Sequence, residues 1–133
     1  MYLKKFFESV LPPLSWTVMI LVLLCLPGST LSGIHAPHIP HLDKYVHFLL
    51  FMGLGGLWNT YLICKKNSPE NLKKGLSLVF LLAVAYGGLL EIVQYCFVPD
   101  RSFDVLDIVA DAAGAAVAWT IFHFKILRIN SGN

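Results

Sequence analysis

Charge is scarce in this sequence. Only 14% of its 133 residues are Asp, Glu, Lys or Arg, against about a quarter in an ordinary soluble domain. The net charge of +2 and the lack of a basic stripe interleaved with aromatics exclude a nucleic-acid-binding surface. Cysteine is also sparse. Cys25, Cys64 and Cys96 are odd in number and lack paired spacing, which argues against a disulfide framework or a zinc site and leaves them as small apolar packing residues. There is no HExxH, no GxSxG and no Gly-rich phosphate loop, so no familiar hydrolase or nucleotide motif is present. The apolar stretches show no strand alternation, which excludes a transmembrane barrel. No internal repeat is visible.

What the chain does have is apolar residues, 56% of the total, gathered into four runs. The expectation is an all-α, single-domain, polytopic membrane protein, with helices over about residues 14–27, 45–64, 75–98 and 105–124. The first run lies behind Lys4 and Lys5 and ahead of Gly28, Ser29, Ser32 and Gly33, a pattern that also describes a cleavable signal peptide. A retained helix is favoured, because Pro12-Pro13 can start it and Trp16 suits the membrane interface. Residues 28–44 form a connection rich in Gly, Ser, Pro and His. His35, His38 and His41 recur there at every third residue, which an extended loop would align on one side. An exposed irregular loop is the simpler reading of them.

The basic residues predict the orientation. Lys4, Lys5, Lys65, Lys66, Lys73, Lys74, Lys125 and Arg128 would share one side of a four-helix bundle, leaving Lys44 and Arg101 on the other. By the positive-inside rule both termini are cytoplasmic.

This topology brings the rare charges together. His47 falls near the outer end of the second helix, after Asp43 and Lys44. Glu91 lies seven residues before Val98, about 10 Å below the outer end of the third helix at 1.5 Å per residue. Arg101 and Asp104 fall in the outer turn. Asp107 stands at the mouth of the fourth helix, and Asp111 one turn deeper. The inner halves read as apolar and offer no polar path for a proton-coupled transporter. The spacings agree: Asp43 and His47 are i and i+4, Glu91 and Gln94 are i and i+3, and Asp104, Asp107 and Asp111 share one helical face. Gly53 and Gly56, Gly87 and Gly88, and Gly114 with Ala118 would let the helices approach.

Two readings of this cluster compete. As a structural clasp, Asp104 caps the fourth helix, Asp107 favours its positive end, Arg101 pairs with either, and His47 pairs with Asp43 or Glu91. As a working pocket, Glu91, His47 and Asp107 are the candidate catalytic groups, able to act as acid and base. Lys44, Arg101, Gln94, Asp43, Asp104 and Asp111 are then candidate binding or orienting groups. The number of carboxylates exceeds what a clasp needs and favours the pocket. No cofactor is expected. A divalent metal on His47, Glu91 and Asp107 is the alternative.

The same residues resemble a known family. Asp43-Lys44-Tyr45-Val46-His47-Phe48 resembles the DKxxHF entry to the second helix of VanZ-like membrane proteins. Glu91-Ile92-Val93-Gln94, followed by Arg101, Asp104, Asp107 and Gly114, is similar to that family's ExxQ and RxxDxxDxxxNxxG pattern. Asp111 departs from it, standing where many members have asparagine. The resemblance implies a multi-pass protein of the bacterial cytoplasmic (inner) membrane. The family is named after a protein linked to teicoplanin resistance, so an influence on envelope-antibiotic susceptibility is one expectation. The first functional expectation is an enzyme or binding protein for an envelope lipid or lipid-linked precursor. In it, Lys44 and Arg101 contact an anionic headgroup. The second is a non-enzymatic scaffold or regulatory subunit of an envelope complex.

Overall fold

The computed structural model describes residues 2–27, 40–65 and 68–131, and every regular element among them is an α-helix. The helices are α1 (Tyr2–Glu8), α2 (Leu11–Leu24), α3 (Leu42–Cys64), α4 (Pro69–Phe97) and α5 (Val105–Ser131). His35 and His38 lie outside the described residues. His41 is exposed, with a left-handed backbone (φ 57°) at the N-cap of α3.

Local chemistry sets the helix ends. Pro12 and Pro13 occupy the first turn of α2, where their missing N–H groups cost nothing. At the start of α4 the Ser68 side chain accepts a hydrogen bond from the Asn71 N–H, and Pro69 and Glu70 follow in the first turn. That helix ends at Phe97. Val98 is extended, as expected for the residue before Pro99. Asp104 caps α5, its Oδ1 accepting the Leu106 N–H at 2.8 Å.

The helices differ from the apolar runs in length. Helices α3, α4 and α5 are each long and apolar enough to cross a membrane. Helix α2 is shorter. Its 14 residues reach ~21 Å at 1.5 Å per residue, below the ~30 Å of a bilayer core. It is nevertheless tied into the bundle. The Trp16 indole donates to the Leu50 carbonyl (3.0 Å), the Tyr86 hydroxyl to the Thr17 carbonyl (2.8 Å), and the Trp58 indole to the Thr17 hydroxyl (3.2 Å). Ile20 and Leu24 are buried beside Phe51, Leu54, Ala83 and Leu90.

Burial is inverted relative to a soluble protein. Leu78, Leu81, Leu82 and Leu89 of α4 are more than half exposed, as are Val109, Ile121 and Phe124 of α5. His47, Asn59, Glu91, Gln94, Asp107 and Asp111 are 1–3% exposed. An apolar outer surface around a polar interior suits a lipid surround, which solvates leucine and not carboxylate.

Helices α3 and α5 run parallel, with Lys44 at Asp107, His47 at Asp111 and Gly55 at Ala118, and α4 runs antiparallel to α5, with Glu91 at Asp104 and Gly87 at Asp111. Glycine sets the α3–α5 distance. Gly114 lies against the Phe48 carbonyl and the Met52 N–H, and a methyl built on Gly55 would sit 2.8 Å from the Ala118 Cβ. Gly53 makes room for the Trp16 indole. Gly56 and Gly88, two of the expected approach points, face nothing within 4 Å. The close contact therefore belongs to Gly55, one residue away from the expected Gly56.

Gly114→Ala is expected to destabilise the bundle by about 1–3 kcal/mol, the usual cost of overpacking, seen as a lower thermal midpoint in detergent. Gly56→Ala is expected to leave the midpoint unchanged or to raise it, since alanine is the better helix former.

Candidate functional site

The α3–α5 contact dictates the site. Because Phe48 meets Gly114, the residue before one and the third before the other become neighbours. His47 Nδ1 lies 3.0 Å from Asp111 Oδ1, with both side chains 2% exposed. An ionised carboxylate has no hydrogen to give, so against an ionised Asp111 the donor of this bond is Nδ1. Gly87 of α4 makes this possible: a Cβ there would sit 2.6 Å from Asp111 Oδ2. The aspartate fills the space that a side chain would take.

One turn nearer the helix ends, the Lys44 ammonium gathers three carboxylates. Its Nζ lies 2.9 Å from Asp43 Oδ2, 2.6 Å from Asp104 Oδ2 and 3.0 Å from Asp107 Oδ1. Asp43 is about half exposed and Asp107 is buried, so the ammonium bridges the surface and the interior. Asp104 links all three long helices. It caps α5, accepts from Lys44 of α3, and donates its backbone N–H to Glu91 Oε1 of α4 at 2.6 Å. The Lys44 ammonium and the Leu106 N–H hold the Asp104 carboxyl below its ordinary value of 3.8. Its contribution to stability is therefore complete above that pH and is lost as the pH falls below it.

Two atoms of this cluster have no hydrogen-bond partner although they are buried, His47 Nε2 and Glu91 Oε2. His47 Nε2 faces Asp107 Oδ2 at 3.9 Å, beyond hydrogen-bond range. A groove of about 370 Å3, lined by His41, Lys44, Tyr45 and Phe48, opens beside the Lys44 end of the cluster.

The expected residues are thus gathered unevenly. Lys44, His47, Glu91, Asp104, Asp107 and Asp111 form one connected cluster, with Asp43 at its exposed edge. Gln94 is drawn away: its Nε2 donates to the Leu24 carbonyl at 2.7 Å and so ties α4 to the end of α2. Arg101 is half-buried and makes no ion pair among the described residues. The pairing expected of Arg101 is made by Lys44, and His47 bonds Asp111 in place of Asp43 or Glu91. Lysine wins because it enters from within helix α3, one turn from His47, whereas Arg101 lies in the turn. The carboxylates whose oxygens fall within 4.8 Å of one another are Asp43, Asp104 and Asp107. They are the residues placed to hold a cation, and Lys44 stands among them.

The half of the bundle away from the charged cluster is less apolar than the sequence suggested. Asn59 is 1% exposed, and its Oδ1 lacks a partner. It lies 12 residues past His47, ~18 Å along α3. The signal for it was present, a single amide within the apolar run Leu57-Trp58-Asn59. An apolar cleft of about 270 Å3, bordered by Thr17, Trp58 and Tyr86, shares no residue with the charged cluster.

Three long apolar helices with their charges turned inward define a multi-pass helical membrane protein. Residues 5–128 match the VanZ/LLP1 family model, and the chain belongs to that family. No curated protein and no solved structure matches the chain.

Lys44→Met is expected to destabilise the protein by about 3–5 kcal/mol, because it leaves buried Asp107 without its cation. Asp43→Asn, at the exposed edge, is expected to cost less than about 1 kcal/mol. Thermal unfolding of both variants in the same detergent measures the contrast.

Proposed function

We propose that this VanZ-family protein binds, and acts upon, the polar headgroup of an envelope lipid or lipid-linked precursor. The site is the cluster formed by His47, Glu91, Asp107 and Asp111. The observation that carries this reading is the pair of buried, unpartnered atoms, His47 Nε2 and Glu91 Oε2. A buried acceptor left without a donor costs about 1–3 kcal/mol. A pure clasp would have no reason to retain two of them beside Lys44.

In this reading the Asp111–His47 pair supplies an oriented base. Asp111 fixes the tautomer, and Nε2 takes a proton from a headgroup hydroxyl or a water. Asp107 Oδ2 lies 3.9 Å from that nitrogen, and Glu91 is the further carboxylate of the site. Arg101 contacts the headgroup phosphate. Lys44, bonded to three aspartates, organises the site and does not contact the ligand, a revision of the role expected from sequence.

The membrane arrangement belongs to the same proposal. Helices α2 to α5 span the bacterial cytoplasmic membrane, α2 is retained, and both termini are cytoplasmic. The distribution of lysine supports this orientation, and the hydrogen bonds from Trp16, Tyr86 and Gln94 support retention of α2. Because α2 is short, it would cross with local thinning of the bilayer or with help from α1. The cluster then opens to the outer leaflet, where envelope precursors are consumed, and loss of the protein would alter envelope-antibiotic susceptibility.

The scaffold reading has one observation in its favour. Asp104 joins α3, α4 and α5 through three hydrogen bonds, which is what a clasp would do. A complementation series separates the two readings. In a deletion strain scored for envelope-antibiotic sensitivity, Glu91→Gln, His47→Ala, Arg101→Ala and Asp107→Asn are expected to reach normal membrane abundance yet fail to restore the wild-type response. Loss of abundance in all four would favour the clasp.

A further inference from the structure

The chemistry of the cluster narrows the ligand. Among the described residues, the buried side-chain atoms without a hydrogen-bond partner are His47 Nε2, Asn59 Oδ1, Glu91 Oε2 and Gln94 Oε1. Three of them are oxygens and accept, and His47 Nε2 accepts when the imidazole is neutral. Two of them, on His47 (2% exposed) and Glu91 (3% exposed), belong to the charged cluster. An ionised phosphate, an ionised carboxylate or an ether has no hydrogen for the Glu91 oxygen. The site requires N–H or O–H donors.

Its charge points the same way. Asp43, Glu91, Asp104, Asp107 and Asp111 are offset only by Lys44 and, when protonated, by His47. The cluster already accommodates a primary ammonium, that of Lys44, within 2.6–3.0 Å of three carboxylates. Arg101, meanwhile, makes no ion pair among the described residues. It precedes Asp104 by three residues, at most ~10 Å of extended chain. A carboxylate of the acidic cluster and a guanidinium without an ion pair among the described residues thus stand three residues apart along the chain.

We propose that the site recognises a primary ammonium adjacent to a phosphate on a lipid headgroup, such as an aminoethyl phosphate. The ammonium enters between Glu91 and Asp107, with the His47 imidazole neutral in the occupied site, and the phosphate meets Arg101. This inference rests on the headgroup-site reading above and adds the headgroup's chemical class. Quaternary ammonium headgroups have the charge but no N–H groups. Glycerol phosphate headgroups have donors but no positive charge.

Native mass spectrometry of the full chain in detergent tests the proposal. The probes are phosphatidylethanolamine, phosphatidylcholine and phosphatidylglycerol with identical acyl chains. Phosphatidylethanolamine is expected to bind at least about tenfold more tightly than either of the others, the scale set by hydrogen bonds to charged groups. That preference should fall in Glu91→Gln and in Arg101→Ala. The wild-type comparison stands even if a variant fails to fold. Equal binding of the three lipids, still weakened by Glu91→Gln, would overturn the ammonium proposal and leave the headgroup site intact. Equal binding that neither substitution affects would overturn both.

Discussion

A charge in an apolar surround must find a partner, and the bundle is organised by that requirement. Lys44 is the pivot. It meets carboxylates from its own helix and from α5, and Asp104 passes the link on to Glu91 of α4. The energetic scale explains its importance. An unpaired buried ion costs several kcal/mol, comparable with the whole stability of a small domain. Lipid supplies no hydrophobic drive between helices, so these polar contacts and the close glycine packing share the task of fixing the bundle.

Glycine and charge are coupled here. Gly114 allows α3 and α5 to touch, which brings His47 to Asp111; Gly87 leaves the space that Asp111 fills. The site is thus built from backbone approach as much as from its side chains. Asp111 illustrates the point, supplying a carboxylate to the imidazole from the space beside Gly87.

Much of this was legible in the sequence. The apolar runs announced the long helices, and the i, i+3 and i+7 spacing of Asp104, Asp107 and Asp111 put them on the face that meets α3. Helix spacing shows which residues share a face, but not how two faces are rotated against each other. Hence Gln94 was read with the carboxylates although it turns to Leu24, and Arg101 was given the pairing that Lys44 makes. The choice between Gly55 and Gly56 needed the same rotation. Asn59 escaped because one amide in an apolar run barely alters its hydropathy. Helix α2 has the length of the run read for it but begins and ends about three residues earlier, with Pro12 and Pro13 inside its first turn.

In the proposed reading, the unpartnered buried atoms of His47 and Glu91 serve function at a cost to stability. The most direct measurement is the thermal midpoint of Glu91→Gln against the wild type in one detergent. Glutamine keeps an oxygen for the Asp104 N–H and removes the buried charge whose second oxygen has no partner. The account predicts a midpoint equal to or above that of the wild type. A fall of several degrees would contradict it, and would mean that the Glu91 charge holds the helices together.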